Sequence, residues 1–199
     1  MYLVNTMSAQ LNIFSGPLGR LYSRPGFLFR RAHQIADGIF VEECADLGLT
    51  PPQSSVLMVV GQYPGISQAD IARLIGFDRA TVGQVTRGLV ARNLMRRTGS
   101  DKDKRNKAVE LTPQGERVLL QARAAMARIS QRLLSPLKPQ ERRLLMEILG
   151  RMVDQLNSAS RSPLKSLESP DLSRAAVSAD ASRRHASIDS RRRAKARAV

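Results

Sequence analysis

Cysteine is all but absent: Cys44 stands alone in 199 residues. A single thiol closes no intrachain disulfide, which fits a reducing cytosol. Histidine is nearly as scarce, with only His33 and His185. With no H-E-x-x-H run and no paired C-x-x-C, a zinc site has little to be assembled from, and no metal is expected. The chain also lacks a P-loop, a dinucleotide glycine pattern and a G-x-S-x-G elbow. These gaps argue against an enzyme, so neither a cofactor nor catalytic residues are expected. Tryptophan is missing and aromatics make up 4%, which leaves a mostly aliphatic core. No apolar run is long enough to span a membrane. Tyr2 to Phe14 is mildly apolar but has no basic start and no long apolar centre, a poor match to a secretion signal.

Acidic residues are in short supply too: 17 Asp and Glu face 32 Lys and Arg, for a net charge of +15. Such an excess favours an acidic partner such as nucleic acid without identifying it. The length fits one domain plus tails.

The most informative stretch runs from Ser67 to Thr112. Ser67 can cap a helix, with Asp70 three residues on as a weaker form of the usual capping box. Ile71, Leu74 and Ile75 then form one apolar stripe. Gly76 suits the left-handed position just past a helix end. Asp78 caps a second helix in which Val82, Val85 and Leu89 face inward. That leaves Arg79, Ala80, Thr81, Gly83, Gln84 and Arg87 on the other side. This is the pattern of a helix-turn-helix, whose second helix enters the major groove of DNA. Arg can grip guanine and Gln adenine through paired hydrogen bonds. Ser67 and Gln68, at the start of the first helix, join the DNA-facing set. Gly83 is costly inside a helix, roughly 1 kcal/mol against Ala; a close approach to DNA would give it a purpose.

Two strand-like runs follow, Leu94 to Thr98 and Lys107 to Leu111, around a basic tip. Lys102, Lys104, Arg105 and Lys107 would lie beside the major-groove helix. From there they can reach phosphates, or place an Arg in the narrow minor groove.

The flanks read as helices. One runs from about Arg24 to Leu47, with Pro25 in its first turn, a stripe of Leu28, Ala32, Ile35 and Ile39, and Gly48 at its end. Thr50, Pro51 and Gln53 open the next, which buries Val56, Leu57 and Val60. After the hairpin, Thr112 and Pro113 start a long helix lined by Val118, Ala122, Ala125, Ile129 and Leu133. Pro139 to Glu141 starts another, carrying Leu145, Ile148, Met152 and Leu156. These end helices hold more apolar surface than one small lobe needs, so a homodimer is expected. Its two recognition helices would match a pseudopalindromic operator in double-stranded DNA.

The boundaries are then a loose arm over residues 1–23, a folded unit over 24–158 and a basic tail over 159–199. Within the folded unit the DNA-binding lobe covers about 50–112, and helices at about 24–47 and 113–158 form a dimerisation domain. The fold class is mainly α (α+β). The tail carries ten basic and four acidic side chains and few large apolar ones, so disorder is expected there. It is either a solvated tail or a source of salt-sensitive, sequence-blind DNA affinity.

The chain resembles the MarR family of bacterial transcriptional regulators. The resemblance rests on Leu49-Thr50-Pro51-Pro52-Gln53, Pro64-Gly65-Ile66-Ser67-Gln68 and Phe77-Asp78-Arg79-Ala80-Thr81-Val82. Asp103-Lys104-Arg105 and Leu111-Thr112-Pro113-Gln114-Gly115 complete it, all in order over roughly residues 24 to 157. It implies a cytoplasmic, nucleoid-associated winged-helix dimer that usually represses its targets and often leaves DNA on binding a small anionic aromatic. Asp103 and Arg105 match the family's wing-tip pair, in which the Arg enters the minor groove and the Asp orients basic wing residues. The run RPGFLFRRAHQIA is similar to the first helix of regulators of aromatic-acid catabolism. By that analogy Arg24, Arg31 and His33 would hold an aromatic acid or its CoA thioester.

Two alternatives stay open. A nonspecific architectural DNA-binding protein would suit the basic tail. A redox-sensing regulator would act through Cys44, although Glu42, Glu43 and Asp46 nearby would tend to raise that thiol's pKa.

Overall fold

The computed structural model describes residues 16–98 and 108–166, which form seven α-helices and a three-stranded sheet. The helices are α1 (Gly19–Tyr22), α2 (Pro25–Glu43), α3 (Pro51–Gln62), α4 (Gln68–Ile75), α5 (Arg79–Ala91), α6 (Pro113–Leu134) and α7 (Pro139–Gln155). The strands are β1 (Ile66–Ser67), β2 (Met95–Thr98) and β3 (Ala108–Leu111), in the order β1-β3-β2. The wing pairs Met95 with Leu111 and Thr98 with Ala108, antiparallel. The expected architecture, a helical frame around a winged helix-turn-helix, is present.

Local signals account for most boundaries. Thr50 and Gln53 form a reciprocal capping box, with the Thr50 N–H donating to Gln53 Oε1 at 3.0 Å. The Thr112 hydroxyl accepts from Gly115 N–H at 3.0 Å and donates to the Asn93 carbonyl at 2.6 Å. It therefore starts α6 and ties it to the end of α5. Gly115 packs so closely there that a Cβ would strike the Leu94 carbonyl.

Several expectations shift. The helix expected over 24–47 stops at Glu43, and Ala45–Leu47 form a 3-10 turn closed by left-handed Gly48. The arm over 1–23 already contains α1, and the Tyr22 ring lies 5.0 Å from that of Phe27. β1 was not foreseen: Ser67 both ends a strand against Ala108 and caps α4. The tail expected from 159 begins in a folded segment. Asn157–Ala159 make a 3-10 turn, and the residues up to 166 are described.

The core lies between α3, α4, α5 and the sheet. Val56, Leu57, Val60, Ile71, Val82, Leu89 and Val109 are fully buried. From the flanks come Phe40, Cys44, Leu119, Ala122 and Ala125. The α2 stripe is not part of this core, since Leu28 and Ile35 are exposed. No residue of α7 is fully buried among the described residues, although Leu145, Ile148, Leu149 and Met152 are half-buried. No helix among the described residues is long and apolar enough to cross a membrane.

Candidate nucleic-acid interface

The site grows from two helix starts. The Ser67 hydroxyl accepts from Asp70 N–H at 3.1 Å and donates to Asp70 Oδ2 at 2.6 Å, so its hydrogen-bonding capacity is largely spent on the cap of α4. Asp78 accepts from Thr81 N–H at 2.8 Å and from the Thr81 hydroxyl at 2.6 Å. The Thr81 hydroxyl and backbone N–H hold the Asp78 carboxyl below its ordinary pKa of 3.8. The negative cap also suits the positive end of the α5 dipole.

Between these starts Gly76 takes φ of +67°, which only glycine accepts easily. The turn lets α5 bury Val82, Thr86 and Leu89 while Arg79, Ala80, Gln84 and Arg87 stay exposed. Thr81 and Gly83 are half-buried at the edge of that face. Gln68 Oε1 and Arg87 Nη1 both lie within 4 Å of where a Gly83 Cβ would sit, at 3.8 and 3.7 Å. Gly83 therefore leaves room for polar ends from both helices to converge beside the exposed face. Neither Arg79 nor Arg87 forms an ion pair among the described residues. Both guanidiniums keep their donors available to an anion.

The wing strands carry more positive charge. Arg96 pairs across the hairpin with Glu110 at 3.1 Å, and Arg97 is exposed next to it. Lys102, Asp103, Lys104, Arg105 and Lys107 fall outside the described residues. Arg92, which the sequence did not single out, donates to the Gly48 carbonyl at 2.6 Å and the Leu47 carbonyl at 2.7 Å. It locks the end of α5 to the 3-10 turn that follows α2. Its partners lie more than 40 positions away in the chain, so no local pattern could have revealed them.

Arg24, Arg31 and His33 all lie on exposed parts of α2 or its cap. Arg31 donates to Gln34 at 2.8 Å, and His33 sits 3.4 Å from Asp37. Arg31 and His33 are two positions apart, so they leave the helix on nearly opposite sides, roughly 200° apart. The chain alone does not bring these two together. Cys44 is buried, and burial above all pushes its thiol pKa up, with Glu43 adding to the effect and Arg128 opposing it. Its low accessibility matches an inert packing role. Among the described residues no cluster of His, Cys, Asp or Glu could hold a metal ion.

Comparison with known proteins gives a consistent picture. A MarR family model matches residues 47–106. The HTH-type transcriptional repressor NicR of Pseudomonas putida is 32% identical over 135 residues, 67% of this chain and 85% of that protein. The transcriptional repressor CouR, solved on a 23-mer DNA duplex, superposes with a TM-score of 0.64 at 30% identity, over 69% of this chain and 98% of that one. BpsR of Bordetella bronchiseptica, whose DNA binding is described as regulated by 6-hydroxynicotinic acid, superposes with a TM-score of 0.62 at 31% identity, over 67% and 95%.

Proposed function

The chain belongs to the MarR family of transcriptional regulators, and from that premise we propose that it is a homodimeric repressor of a pseudopalindromic operator. One observation carries the reading. Helix α5 turns Val82, Thr86 and Leu89 into the core and leaves Arg79, Gln84 and Arg87 facing out, with neither arginine in an ion pair among the described residues. In this reading Arg79, Thr81, Gln84 and Arg87 read base edges in the major groove. Thr81 offers its oxygen and methyl, because its proton is committed to Asp78. The wing-tip Arg105 enters the minor groove, with Asp103 orienting basic wing residues and Lys102, Lys104 and Lys107 on phosphates.

The test uses duplexes enriched from random-sequence DNA by the full chain. Gln84→Ala and Arg105→Ala should each lose about 1–3 kcal/mol on the enriched duplex and far less on random DNA. Unchanged affinity in both variants would remove the groove assignments. A footprint separates this reading from a DNA-coating protein, which protects DNA evenly rather than at one short dyad.

The effector in this reading is a small aromatic acid or its CoA thioester. Support comes from the kinship with BpsR and from a MarR family protein of Mycobacterium tuberculosis solved with salicylic acid, 25% identical with a TM-score of 0.53. Because Arg31 and His33 diverge on α2, a shared carboxylate would need one of them supplied by a second copy. Titration with aromatic carboxylates, with and without His33→Ala, tests this. If none changes DNA affinity or melting temperature, the sensor reading fails for that class.

A further inference from the structure

The segment after α7 does not leave the body. It doubles back, and the Asn157 side chain holds it in place. Asn157 Nδ2 donates to the Leu164 carbonyl at 2.9 Å, and Leu164 N–H donates to Asn157 Oδ1 at 2.8 Å. The next residue reaches the helix-turn-helix, where Lys165 N–H donates to the Arg73 carbonyl at 2.8 Å. That carbonyl lies in the last turn of α4. Gly76 N–H and Phe77 N–H both donate to Ala72 instead, so the strap serves an acceptor that the helix end leaves open. The Leu164 side chain covers Gly76: a Cβ there would sit 3.2 Å from Leu164 Cδ2 and 3.1 Å from the Ser162 carbonyl.

Helices α4 and α7 do not fill the space between them. A cleft of about 430 Å³ separates them, lined by Ile75, Leu149, Met152 and Val153 among others. The strap bridges it, joining the end of the last frame helix to the turn that aims α5.

We infer that the strap 157–165 positions the helix-turn-helix against the frame, with Asn157 and Leu164 as its positioning residues, and so sets the operator half-site spacing the protein accepts. The inference rests on the proposed function. A two-fold dimer reads two half-sites about one DNA turn apart, roughly 34 Å, and one added base pair both lengthens and rotates that separation. A turn held on one side only by its own helix would tolerate the change; a turn tied to α7 would resist it.

The test uses the full chain and its Asn157→Ala and Leu164→Gly variants. Affinity is measured for the duplex enriched by the parent and for the same duplex with one base pair inserted at its centre. Both variants should lower the ratio of the two affinities by roughly threefold or more. Amide exchange over residues 73–78 of the free protein should quicken in both. Asn157→Asp, which keeps the acceptor and loses the donor, should fall between. An unchanged ratio overturns the inference, whether or not the melting temperature falls, because a merely structural strap would lower stability alone. Unchanged exchange at 73–78 overturns it as well. If the parent enriches no dyad, the proposed function and this inference fall together; if it does and the variants match it, only the strap's role is lost.

Discussion

The lobe between Leu49 and Thr112 and the helices that flank it differ in what they finish. The lobe closes on itself, with Leu57, Ile71, Val82, Leu89 and Val109 showing no exposed surface. In the frame, Ile35 is 50% exposed, Val41 65%, Leu144 56% and Val153 56%. One region is complete by itself; the other has apolar faces that nothing among the described residues covers. Apolar faces of that extent on otherwise polar helices indicate an interface. In the proposed dimer a second copy would cover them.

The strongest way to sharpen the contrast is to truncate one leucine in each region. Leu89→Ala removes a fully buried side chain and should cost about 2–5 kcal/mol in chemical denaturation. Leu144→Ala, more than half exposed, should cost about 1 kcal/mol or less in dilute protein. Equal costs would mean that α7 is already covered within the chain.

The next test breaks the frame and leaves the lobe alone. Ile35→Asp combined with Leu144→Asp places charges on exposed apolar positions of α2 and α7 that lie away from the cleft beside α4. Sedimentation should then show monomers where the parent shows dimers. Affinity for a dyad should fall by roughly a hundredfold as the two half-sites stop acting together, while affinity for a single half-site stays. A double variant that remains dimeric would assign the interface elsewhere.

The lobe was legible in the sequence for the same reason that it is self-contained. Its signals are local: Ser67, Asp78 and Thr112 each have a short polar side chain that caps the helix beginning one residue later, and Gly76 marks a left-handed stop. The spacing of Val82 and Leu89 shows which side of α5 is inward, so Arg79, Gln84 and Arg87 follow by elimination. What escaped the sequence is held by partners far along the chain. β1 is two residues long and exists because Ile66 and Ser67 meet Val109 and Ala108. Arg92 finds its acceptors at Leu47 and Gly48, and Lys165 finds Arg73. The α2 stripe was legible as a pattern, but the pattern does not say whether its cover is this chain or another.

Arg92 spans the two regions, and its removal should have a smaller effect. Its guanidinium serves two carbonyls of the 3-10 turn after α2 while remaining exposed to water, so Arg92→Ala should cost about 1 kcal/mol. Denaturation of Arg92→Ala and Arg92→Lys checks this. The ammonium of lysine cannot span both carbonyls as a planar fork does, so it should recover only part of the loss.

Acid should separate the regions by mechanism rather than by size. Asp78 in the lobe and Glu43 in the frame both have pKa values lowered from the ordinary 3.8 and 4.5. Each therefore stabilises the fold above its unfolded value, and that stabilisation is lost as pH falls through the lower folded value. The causes differ. Asp78 is held first by hydrogen bonds from Thr81 at the start of its own helix, whereas Glu43 is held first by Arg128 and Arg132 of α6, at 2.7 and 2.8 Å. Added salt partly screens the attraction of Glu43 to the half-exposed guanidiniums of Arg128 and Arg132, less than for a fully exposed pair because Glu43 is itself mostly buried. It leaves a short hydrogen bond to a backbone N–H largely intact. The stability difference between the parent and Glu43→Gln, measured from pH 6 down to pH 3, should therefore shrink at high salt. The difference between the parent and Asp78→Ala should persist. If both differences shrank alike, the Asp78 cap would be acting through its charge on the α5 dipole rather than through Thr81, and the two regions would share one mechanism after all.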